Sequence, residues 1–154
     1  MKSVYSIVFA YCTLLLACVS TVSQIPYTAD PSNIVNPIET IKSTIEQQPI
    51  DYAYNTPKNL EIDNKCIKLY NVQSRFKGKS RGRGDSDIIP KWVCYKDIGK
   101  INLAKITKQR GSEFWRVEID NMRGGYIYEV FTENKEKAER FIDALALMVT
   151  KIKN

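Results

Sequence analysis

Histidine is missing from all 154 residues. Its absence removes the commonest zinc ligand, the usual proton carrier near neutral pH, and the base of ordinary Ser-His or Cys-His nucleophilic sites. Cysteine is scarce, at Cys12, Cys18, Cys66 and Cys94. None of these forms a Cys-x-x-Cys pair or a cluster at metal-ligand spacing, and no glycine-rich loop of nucleotide-binding type occurs. There is no internal repeat. The one long apolar run, Val4 to Ala17, is shorter than the ~20 residues a helix needs to cross a bilayer. Nothing here calls for a metal or a cofactor. Glu118 and Asp120 fall on one strand face, but no second catalytic group accompanies them. The expectation is a protein that is not an enzyme, with a histidine-free enzyme as the least supported alternative.

What is present is informative at the N-terminus. Met1 and Lys2 precede the apolar run, which closes on Leu15-Leu16-Ala17-Cys18. A basic start and an apolar stretch ending in small residues form the layout of a secretory signal. The closing four residues resemble the lipobox of bacterial lipoproteins. That resemblance implies that residues 1–17 are a signal peptide, that Cys18 becomes the first mature residue, and that it carries the lipid (palmitate among its acyl chains). Leu16 departs from the more usual residue at its place. The competing reading is a plain signal cut near Ser20 or Ser23, which would yield a secreted soluble protein. An uncleaved anchor is disfavoured by the length of the run. The expected location is the bacterial cell envelope, membrane-anchored and facing the periplasm or the cell surface.

Charge is unevenly spread. Residues 19–65 carry three basic side chains (Lys42, Lys58, Lys65) against six acidic ones, whereas residues 66–154 carry nineteen against eleven. A basic exported domain attracts anionic lipid heads, acidic glycans or an acidic protein. Nucleic acid suits the charge but not the compartment. Five of the six prolines lie between Pro26 and Pro57, in polar sequence with few aromatics. Residues 18–64 therefore read as a flexible tether. Within it Asn36, Pro37 and Glu39 carry the marks of a helix start, followed by Ile38, Ile41 and Ile45 on one face. So short a helix needs a surface to dock on, and the signals are read as local structure inside the tether.

From residue 65 to 154 the pattern is that of a folded basic domain. Candidate strands cover 66–76, 88–95, 101–107, 114–119 and 126–132, with turns at Asp97-Ile98-Gly99-Lys100, Arg110-Gly111-Ser112 and Asp120 to Gly125. Strands so spaced form an antiparallel meander. Ala138, Phe141, Ile142, Leu145, Met148, Val149 and Ile152 recur at three- and four-residue steps, an amphipathic helix capped by Asn134. Glu136 in its first turn and Lys151 and Lys153 in its last suit the helix dipole. The fold class expected is α+β: an antiparallel meander, a partly open barrel or curved sheet, closed by one C-terminal helix. In a symmetric hairpin centred on Ser80, the middle of the Gly-rich stretch Lys77 to Gly84, Cys66 lies opposite Cys94. Opposed residues are within disulfide reach, and an exported pair of thiols tends to oxidise. Two buried free thiols are the alternative.

The segments Tyr126-Ile127-Tyr128-Glu129-Val130-Phe131 and Lys137-Ala138-Glu139-Arg140-Phe141-Ile142-Asp143-Ala144-Leu145 resemble the end of a pleckstrin-homology-like domain. Tyr95-Lys96-Asp97-Ile98 with Ile101 is similar to a strand start in bacterial and GRAM-type relatives. The likeness spans residues 66–152 and rests on pattern. It implies seven strands where five are counted, so either another strand lies in residues 50–63, with Tyr52 and Tyr54 as candidates, or the fold is a smaller α+β one. It also implies binding of lipid heads, peptides or proteins.

Arg75, Lys77, Lys79, Arg81 and Arg83 alternate with Phe76, Gly78, Ser80 and Gly82. In an extended chain this makes one cationic stripe whose glycines let a phosphate approach the backbone. In lipid-binding members of the resembled family basic residues of the first hairpin loop hold the head group, and the stripe resembles that placement; a solvated, idle loop is the alternative. Arg83-Gly84-Asp85 spells an integrin-recognition tripeptide, a match short enough to arise by chance. The aromatics Tyr70, Trp92, Trp115, Tyr126 and Tyr128 read as core and sheet-face packing. The function expected is a non-catalytic binding or scaffold module for anionic lipid or a protein partner; the alternative is a structural envelope lipoprotein with no ligand.

Overall fold

A computed structural model describes residues 20–70, 90–108 and 111–153, the Tyr54 side chain excepted. The domain is α+β. Strands β1 (Thr21–Ile25), β2 (Asn59–Ile62), β3 (Cys66–Tyr70), β4 (Lys91–Cys94), β5 (Ile98–Thr107), β6 (Glu113–Asn121) and β7 (Tyr126–Thr132) are joined by helices α1 (Pro37–Glu46) and α2 (Lys135–Lys153). They form two antiparallel sheets, ordered β1-β5-β6-β7 and β2-β3-β4, which do not join into a closed barrel.

The meander of the large sheet follows from its turns. At the β6–β7 turn Gly124 takes φ +78, a conformation that costs glycine little, and the Asn121 side chain accepts from the backbone N–H of Arg123 and Gly125. The expected turn at residues 97–100 is instead a 3-10 turn, Tyr95–Asp97, that runs straight into β5, with a register shift between Ile98 and Lys100. A Cβ on Gly99 would stand 2.6 Å from the Asn121 carbonyl oxygen, so only glycine lets these two strands approach so closely.

Helix α2 closes the fold as its spacing implies. Ala138, Phe141, Ile142, Leu145 and Met148 are buried, and Asn134 caps the helix by accepting from the N–H of Glu136 and Lys137. They meet Ile67, Leu69 and Val93 of the small sheet and Leu103, Val117, Ile119, Tyr128 and Val130 of the large one in a single core. A second, smaller cluster lies on the other face of the large sheet, where Tyr52 stacks on Phe131 at 3.8 Å beside Ile106 and Phe114.

The stretch expected to be a tether is packed into this fold from residue 21 onward. Strand β1 pairs along β5 from Thr21↔Thr107 to Ile25↔Leu103. Asn36 caps α1, accepting from Glu39 N–H, with Pro37 at the helix start. Ile41 and Ile45 are fully buried because α1 docks on α2, the surface its short length demanded. Tyr27 donates to Asp143 of α2, tying down the segment after β1. The strand expected in residues 50–63 is Asn59–Ile62, while Tyr52 lies in a 3-10 segment, Ile50–Asn55. That segment shields the free edge of β7. Gln48 accepts from Phe131 N–H and Asn55 donates to the Glu129 carbonyl, so two side-chain amides stand in for a neighbouring strand.

Candidate binding surface

The hairpin β3–β4 carries the residues singled out in the sequence. Its register pairs Cys66 with Cys94, Ile67 with Val93 and Lys68 with Trp92, and a disulfide joins Cys66 to Cys94. Alternation puts Ile67, Leu69 and Val93 into the core and leaves Cys66, Lys68, Tyr70, Trp92 and Cys94 on the opposite face. Cys18, the stripe Arg75, Lys77, Lys79, Arg81 and Arg83, and the tripeptide Arg83-Gly84-Asp85 lie outside the described residues.

The outward face of this hairpin holds a paired network. Lys68 Nζ lies 5.6 Å from the centre of the Trp92 ring and 3.4 Å from an Asp63 carboxylate oxygen. Asp63 accepts from the backbone N–H of Lys65 and Cys66 at 2.7 and 2.8 Å. These bonds, that to Cys66 first, hold its carboxyl below the ordinary carboxylate range. On the inward side of the hairpin, where Lys91 lies opposite Leu69, its Nζ stands 4.7 Å from the Tyr126 ring centre, and burial pushes its ammonium down against the opposing pull of Glu129.

Of the aromatics expected to be packed, Tyr128 is fully buried, and burial drives its hydroxyl upward in pKa. Trp92 and Tyr126 are not packed away: they are 56% and 44% exposed, and Met122 in the β6–β7 turn is 64% exposed. Trp92, Cys94, Asp97, Asn121, Met122, Arg123 and Ile127 line a groove of about 550 Å³ at the corner between the sheets. Trp92 was legible as a strand residue but not as an exposed one, because its face depends on a register shared with β3.

Glu118 and Asp120 share the outer face of the large sheet. Glu118 lies opposite Asn102 and Glu129 and pairs with Arg116 at 3.3 Å; Asp120 accepts from Asn102 Nδ2 at 3.0 Å. Among the described residues no group of three His, Cys, Asp or Glu is placed to hold a metal, and no helix is long and apolar enough to cross a membrane. No family model, no curated protein and no solved structure matches the chain.

Proposed function

We propose that the chain is an exported bacterial envelope protein, anchored through a lipid on Cys18, whose domain binds an anionic partner without catalysis. The domain is read as pleckstrin-homology-like. Seven strands among the described residues, in two antiparallel sheets with a closing helix, support that reading. The observation that carries the functional reading is the Cys66–Cys94 bridge, set at directly opposed positions of the hairpin. A bridge of this kind persists in oxidising compartments, which agrees with the signal-like N-terminus. The strands it braces lead into the segment bearing Arg75, Lys77, Lys79, Arg81 and Arg83. Cations at alternate positions there act on lipid head groups or acidic side chains, each contributing ~1 kcal/mol near an anionic bilayer.

The test is charge reversal. Lys77→Glu, Lys79→Glu and Arg81→Glu together should weaken co-sedimentation with phosphatidylglycerol vesicles, or capture of an acidic partner, at least tenfold at low salt. Wild-type binding of both by the reversed protein would show that the stripe is idle.

A further inference from the structure

We propose that the groove between Trp92 and the Met122–Arg123 turn is the docking site for an acidic segment of a partner protein. The segment seats an apolar side chain between Trp92 and Met122 and sets its carboxylates against Arg123 and Lys96. Trp92 and Met122 are exposed large apolar side chains, and both line the groove. Aromatic residues, Met and Arg are the types enriched where proteins meet proteins, and buried anchors of this kind carry most of the affinity. The rim has the complementary sign. Arg123 lines the groove and Lys96 precedes its lining residue Asp97 in the chain; both cations are exposed and without an ion pair among the described residues, and Asp97 is the one carboxylate of the lining. Like charges are thereby disfavoured and an acidic segment is steered in.

The position of the groove favours a protein over the lipid surface, an argument that rests on the anchoring proposed at Cys18. Val19 and Ser20 alone separate that cysteine from β1, whose Thr21 lies opposite Thr107 at the far end of β5. The groove is at the other end, where Ile98 opposes Asn121. Strand β5 has ten residues, about 30 Å at ~3.4 Å each. Bringing both ends to one bilayer requires the sheet to lie along it; a sheet standing on its anchored end keeps the groove off the surface. Held by its lipid, the domain carries the groove outward.

The experiment uses the mature full-length protein and follows the Trp92 indole N–H resonance, identified by its loss in Trp92→Phe. The probes are hexapeptides with one Leu or Phe among Asp and Glu, the same peptides with Lys and Arg instead, and phosphatidylglycerol–phosphatidylethanolamine vesicles. Acidic peptides should shift the resonance and bind at least tenfold more tightly than basic ones. Arg123→Glu with Lys96→Glu should abolish that preference at unchanged melting temperature. Equal response to both peptide sets, or acid preference that survives charge reversal, overturns the proposal. So does loss of the Trp92 signal on vesicles alone, which would make the bilayer the occupant. An intact mass on the same sample separates the two readings. Acid-selective binding by an unacylated protein keeps the groove and removes the anchor; an acylated protein without selectivity does the reverse.

Discussion

Single residues carry the sharpest tests. Asp63 holds the β2–β3 turn through two backbone N–H groups, and its folded carboxyl is depressed. The stability it contributes is therefore present above the unfolded value of ~3.9 and is lost as pH falls through the depressed one. Asp63→Asn keeps an acceptor oxygen but no titrating charge. Urea midpoints of the two proteins should differ at pH 5 and converge toward pH 2; a gap independent of pH would remove Asp63 from the acid response. The Cys66–Cys94 bridge closes a loop with a sequence separation of 28, for which the chain-entropy model gives about 3.5 kcal/mol. Cys66→Ala with Cys94→Ala should lower the unfolding free energy by roughly that amount, and thiol reagents should find neither sulfur in the untreated native protein. Ready labelling would contradict the bridge. This pairing was legible because both strands alternate cleanly and their turn midpoint could be located. The exposure of Trp92, one register step from the core residue Val93, was not.

At the scale of elements, the C-terminal helix and the strands after residue 90 were readable because each has a strong period of its own. Helix α1 was readable in its cap but not in its role. Its apolar face is short, and the surface that buries it, α2, lies almost a hundred residues away in the chain. Strand β1 is polar and exposed along most of its length, so no pattern marks it; its place comes from backbone pairing with β5. Proline content and polarity thus described composition correctly and misjudged order. Ile41 decides the matter. It is fully buried, so Ile41→Ala should destabilise the domain by ~2–5 kcal/mol, read as a fall in the urea midpoint. A change below ~0.5 kcal/mol, as at ordinary surface positions, would return this stretch to a tether.

For the whole molecule, the packed N-terminal segment changes what anchoring means. With β1 beginning at Thr21, the lipid proposed on Cys18 would hold the domain close to the bilayer. On the function proposed above, the basic stripe and the groove would serve one anionic partner chemistry from two parts of one chain. All of this depends on export and acylation. Intact mass spectrometry of the protein recovered from its producing cells tests that dependence most directly. The account predicts a chain beginning at Cys18, heavier by its acyl groups and lighter by the two protons of the Cys66–Cys94 bridge; a full-length chain retaining Met1, with free thiols and no lipid, would contradict it.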